Sequence, residues 1–210
     1  MKNHGDWILS SGGHTAVLVG GFLEVIMALA CIGTAVTLYP VLKRQNEGVA
    51  LGFVAARVLE ACMIFTGVVS LLSLVTLQQA GATGVNAAAL ATTGASHVAV
   101  YNWTFLLGQS LMPGINALLL GSLLYRSRLV PRIIPALGLI GAPILIIAVI
   151  ATLFRGTVPP PSWAVLAALP VAAWELSLGL WLVAKGFKPS PITAAMTAAD
   201  TAPAYHDVTA

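Results

Sequence analysis

Long apolar runs alternate along the chain with short polar breaks, and the length of the runs decides what they are. Residues 16–39, 49–77, 98–125, 133–154 and 163–185 are each dominated by Leu, Ile, Val, Ala and Phe. A helix needs about 20 such residues to cross a hydrocarbon core of about 30 Å, and all five runs meet that length. The runs are too long for membrane β-strands, and their apolar positions do not alternate. The pattern therefore predicts an all-α fold, a polytopic bundle of five transmembrane helices. The first run is interrupted by Glu24 and preceded only by Lys2, so it predicts a span rather than a cleaved leader.

Composition agrees with the pattern. Apolar residues make up 58% of the chain and charged residues 8%, with a mean hydropathy of +0.92. A water-soluble domain carries about 25% charge. The predicted organisation is an external N-terminal segment at 1–15, a transmembrane domain at 16–188 and a disordered cytoplasmic tail at 189–210. Residues 78–97, without an acidic or basic residue apart from His97, are expected to form an external loop.

The breaks also predict orientation. Lys43, Arg44, Arg126, Arg128, Arg132, Lys185 and Lys188 fall on one side, against Lys2 and Arg155 on the other. Basic residues gather in cytoplasmic loops, so the N-terminus is expected outside and the C-terminus inside. Trp103 and Trp163 would mark the outer boundary, Tyr39 and Tyr125 the inner one. The net charge of +3 is spread over short loops, which is no footprint for nucleic acid. The lipid bilayer is the expected partner, with a homo-oligomer or other membrane subunits beside it.

The chemistry of interest lies within the runs. Charges at the centre of a spanning helix cost about 2.5–3.5 kcal/mol each, and this chain keeps Glu24, Arg57, Glu60 and Glu175 there. At a rise of about 1.5 Å per residue, Glu24 lies about 12 Å and Glu175 about 18 Å below the outer ends of their spans. Glu60 lies about 16 Å from the inner end of its own, so the three carboxyls share one level. Arg57 and Glu60, three apart, share a helix face with Phe53, Ile64, Gly67 and Leu71. Asn102, Gln109 and Asn116 repeat every seven residues and form a second polar stripe, which Pro113–Gly114 should bend.

Lipid offers these groups no partners, so the stripes are expected to face one another. The predicted site is an intramembrane cluster of Glu24, Arg57, Glu60, Gln109, Asn116 and Glu175. It supports transport or sensing of a small solute or proton. The alternative is a structural or accessory subunit in which the cluster fixes helix packing. Five short-looped helices enclose little volume, so a transporter calls for a homo-oligomer.

His14, His97 and Asn102 are weaker candidates at the outer boundary. Two histidines without a supporting carboxylate or thiol are no metal site, and no cofactor is expected. Cys31 and Cys62 lie within apolar runs and are expected to be small buried hydrophobes. The chain contains no phosphate loop, nucleophile elbow or zinc-binding helix motif, and so no enzyme signature.

Three blocks, "LYPVLKRQNEGVALGFVAARVLEA" (38–61), "LLYRSRLVPRIIPALGLIGA" (123–142) and "WELSLGLWLVAKGF" (174–187), resemble a bacterial membrane family called domain of unknown function 4386. The resemblance runs from about Gly21 to Pro189. It implies an all-helical protein of the bacterial cytoplasmic membrane and brings no activity or residue role with it. Members of that family usually carry one more spanning helix at the N-terminus. Here "MKNHGDWILSSGGH" stands directly before what resembles their second span.

Overall fold

The computed structural model describes residues 14–81, 87–156, 165–192 and 194. Most of the N-terminal segment, Trp163 and the tail from 195 onward lie outside the described residues. Those described fold into helices α1 (His14–Leu42), α2 (Glu47–Gly81), α3 (Ala87–Thr104), α4 (Met112–Ser127), α5 (Ile133–Arg155) and α6 (Leu169–Lys185), with no strand among them. A π-helical segment, Phe105–Leu111, joins α3 to α4, so that Ala88–Ser127 is one rod of 40 residues. Four helices are long and apolar enough to cross a membrane: α1, α2, this rod and α5.

The outward faces agree with a lipid solvent. Ile133, Ile140, Ile147 and Phe154 recur every seven residues along α5 and are 66–85% exposed. Leu18, Phe22, Leu29 and Val36 on α1, and Leu176, Leu180 and Val183 on α6, are exposed in the same way at spacings of three, four or seven residues. Helices that are apolar on both faces belong in a bilayer.

Residues 78–97 are not the loop expected of them. Gln78–Gly81 completes α2, and α3 begins at Ala87, leaving only 82–86 outside the described residues. The physical reason is composition. "AAALATTGASH" has no proline and is rich in alanine, the strongest helix former, while its shortage of leucine and valine removed it from the apolar run. The fifth run departs in the other direction. Pro170 occupies the first turn of α6, where its missing N–H costs nothing, and the helix starts there. The preceding Val165–Ala168 closes a separate turn through Ala168 N–H to the Val165 carbonyl at 3.1 Å. Helix α6 is therefore 17 residues long, about 25 Å.

The basic loops meet at one end of the bundle. The Arg44 guanidinium donates to the Ile192 carbonyl at 3.3 Å, and Lys188 N–H donates to the Leu129 carbonyl at 2.8 Å. Lys43, Arg132 and Lys188 lie over the rings of Tyr39, Tyr125 and Trp181 at 5.1–5.9 Å from their centroids. The first residues of the tail are thus held rather than loose, and Ile192 packs on the core.

Helix α1 runs along α2, where Ala28, Cys31, Ala61, Ile64 and Val68 form a small cluster of their own. Short side chains let two membrane helices approach closely. The main core gathers α2, α4, α5 and α6 around Phe53, Leu120, Leu124 and Trp174. Close approach of α5 to α6 requires Gly138 and Gly141. A Cβ at 138 would stand 2.6 Å from the fully buried ring of Trp174, and one at 141 would stand 2.7 Å from Pro170. Gly138→Ala is expected to lower stability by about 1–3 kcal/mol through overpacking. Gly33→Ala, with nothing within 4 Å of its Cβ, should lose nothing to packing and gain up to about 1 kcal/mol from helix propensity. Unfolding of both variants in detergent measures the difference.

Candidate functional site

Arg57 is the point at which the helices are tied. It projects from the inner face of α2 and forks between two carboxylates. Nη1 lies 2.9 Å from Glu60 Oε2, one turn along α2, and Nη2 lies 3.1 Å from Glu175 Oε1 on α6. Nη1 also points at Cys31 Sγ on α1 at 3.7 Å, and the guanidinium lies 5.7 Å from the ring centroid of Phe53. From α4, Asn116 donates its Nδ2 to Glu60 Oε2 at 2.8 Å. One cation, two carboxylates, an amide and a thiol so connect α1, α2, α4 and α6.

Burial divides the cluster. Arg57, Glu60 and Asn116 are 9%, 5% and 0% exposed, whereas the Glu175 side chain is 37% exposed. The open side of Glu175 faces a cleft of about 250 Å³ bounded by the π segment, the far half of α5 and residues 165–175. The cleft lies just ahead of the start of α6. Leu145, Ala148, Val149 and Thr152 of α5 form one wall, and Val165 and Ala168 of the turn before α6 stand on it. Gln109 and Ser110 enter from the π segment, and Thr152 enters from α5.

The π segment also explains where the second polar stripe went. Pro113 has no N–H to give to the preceding turn, and its ring crowds the carbonyl there, so the backbone widens before it. A widened turn rotates the residues beyond it. Asn116 consequently faces Glu60 while Gln109 faces the cleft beside Glu175, and Asn102 lies three residues before the widened turn. Gly108 lets this segment press on α2, since a Cβ there would stand 2.5 Å from Met63 Cβ.

The structure joins Arg57, Glu60, Asn116 and Glu175 by hydrogen bonds and brings Gln109 to the same cleft as Glu175. Glu24 is elsewhere. It accepts a hydrogen bond from Tyr101 Oη at 2.6 Å, and that ring crosses α2 where Gly67 leaves room. Glu24 shares its face of α1 with Cys31, seven residues on, but lies about 10 Å from it along the helix, so Cys31 meets Arg57 while the Glu24 carboxyl meets Tyr101 of α3 beside Gly67. Tyr101 carried no signal in the sequence, because an aromatic residue in an apolar run is ordinarily packing. Cys31, read as a small hydrophobe, is buried as expected but touches the guanidinium. Cys62, read the same way, is exposed on the outer face of α2.

The outer candidates remain separate from the cluster. His97 is engaged by Ser70, whose Oγ donates to the His97 carbonyl at 2.8 Å and lies 3.3 Å from its Nδ1. His14 opens α1. Among the described residues no three His, Cys, Asp or Glu side chains gather as metal ligands.

The family model for the domain of unknown function DUF4386 matches residues 6–186, including every residue of this cluster. The chain belongs to that family. The DUF4386 match begins ahead of Gly21, so it takes in most of the segment before α1 as well. No curated protein and no solved structure matches the chain. For this DUF4386 protein the site must therefore be understood from its own geometry.

Removing one partner of a buried ion pair strands the other, at a cost of about 3–5 kcal/mol. Arg57→Gln strands two carboxylates and is expected to cost at least that much. Arg57→Lys should recover only part of the loss, because a single ammonium cannot fork between Glu60 and Glu175. Unfolding of the two variants in detergent or nanodiscs measures this; full recovery in Arg57→Lys would show that charge alone suffices.

Proposed function

We propose that this protein is a five-span bundle of the bacterial cytoplasmic membrane, with its N-terminus outside and its C-terminus inside. In this reading α6 and the Val165–Ala168 turn together make the fifth crossing. The gathering of the basic loops at one end supports the orientation. A C-terminal green fluorescent protein fusion should fluoresce and an alkaline phosphatase fusion at the same point should be inactive. The reverse result contradicts the orientation.

Within that frame we propose that the protein transports or senses a small solute or proton through the Arg57–Glu60–Glu175 cluster. The observation that carries this reading is the exposure of Glu175. A cluster serving packing alone has reason to close over both carboxylates, as it does over Glu60. Here the second carboxylate opens into a cleft whose other polar groups, Gln109 and Ser110, come from a π segment. Such segments are frequent at functional sites. One guanidinium between two carboxylates also leaves a surplus negative charge, which a proton or a cation would neutralise.

The second reading, a structural or accessory subunit, draws on the buried half. Arg57, Glu60 and Asn116 are buried and hold α2 against α4 and α6. Reconstitution in liposomes separates the two. The first reading expects proton-linked flux that Glu175→Gln abolishes and Glu24→Gln preserves. The second expects no intrinsic flux and co-purification with other membrane chains.

A further inference from the structure

We infer that the cleft beside Glu175 receives a small organic cation, an amine carried on an apolar body of about ten heavy atoms. This deepens the solute-binding reading proposed above and rests on it.

Three features of the cleft select that chemistry. Its size comes first. A dry cavity of about 150 Å³ takes up benzene, so 250 Å³ has room for one ring with a short substituent. Its walls come second. Leu106, Pro113, Leu145, Val149, Val165 and Val171 are apolar, so the body of the ligand must be apolar as well. The distribution of polar groups comes third. Glu175 supplies a charged acceptor and Gln109 an amide, while Thr152 already donates to the Ala148 carbonyl at 2.8 Å.

Charge decides between ligand classes of that size and shape. Arg57, Glu60 and Glu175 sum to one negative charge when all are ionised, in a setting where water is scarce. An anion would add to the surplus and would meet Glu175 before it met the guanidinium, which is 9% exposed. A neutral alcohol would fill the space and leave the surplus uncompensated. An ammonium placed against the open face of Glu175 cancels it and keeps three donors for Glu175 and Gln109. Arg57 need not move, because it holds Glu175 at a single oxygen, Oε1.

The test uses the full chain in lipid nanodiscs, with three probes of one shape: 2-phenylethylamine, 2-phenylethanol and phenylacetate. Calorimetric titration, corrected with empty nanodiscs, should show the amine binding at least tenfold more tightly than the alcohol and phenylacetate not binding. Glu175→Gln should erase the tenfold preference. Ala172→Phe, which adds a ring to an exposed position on the cleft wall, should abolish binding of the amine without changing the unfolding temperature. Equal binding of amine and alcohol, or an unchanged preference in Glu175→Gln, overturns the cation assignment. It leaves the solute-binding reading intact, since the alcohol still enters the cleft. Absence of any amine binding to the parent chain overturns the assignment too, and proton-linked flux lost in Glu175→Gln would still support the broader reading.

Discussion

A guanidinium inside a bilayer cannot be left alone, and the pairing of Arg57 is the constraint on which the rest of this structure depends. Arg57 cannot shed its charge as a lysine or carboxylate can, so the fold must bring acceptors to it. Glu60 comes from the same helix face and Glu175 from the last helix, 118 positions along the chain. To deliver Glu175, α6 must lie close against α5, which the glycines at 138 and 141 permit. To orient Glu60, α4 must present Asn116, which the widened turn before Pro113 permits. Features far apart along the sequence therefore answer to one charge.

The same constraint explains why the cluster is lopsided. Glu60 accepts from both Arg57 and Asn116 and is closed off, as a buried carboxylate needs to be. Among the described residues Glu175 has one hydrogen-bond partner, Arg57, and its open flank lies on the cleft ahead of the start of α6. One side of the Arg57 guanidinium holds helices together, and the other holds a carboxylate that remains accessible.

Much of this was legible in the residues. Run length marked the four helices long enough to cross a membrane, and the three-residue spacing of Arg57 and Glu60 put them on one face. The absence of partners in lipid pointed to a cluster around Arg57 but did not say which of the glutamates would reach it. Three things were not legible. The helical nature of 78–97 was hidden because hydropathy, not propensity, set the predicted boundaries, and alanine is a strong helix former with little hydropathy of its own. The fate of Glu24 was hidden because its depth was counted from the end of an apolar run, and run ends do not fix how far one helix slides along another. Helix α1 sets Cys31 level with Arg57, which leaves Glu24 beside Gly67, where Tyr101 reaches it. The seven-residue stripe failed for a third reason, since a helical wheel assumes an unbroken α-helix and the π segment breaks it.

The division of labour between the two carboxylates is the central claim, and the unfolding of Glu60→Gln beside Glu175→Gln in nanodiscs tests it most directly. If Glu60 is the structural partner and Glu175 the working one, Glu60→Gln should cost about 3–5 kcal/mol. Glu175→Gln should leave stability within about 1 kcal/mol of the parent, as for an exposed pair. Equal losses in the two variants would mean that both carboxylates serve only to hold Arg57, and the claim would fall.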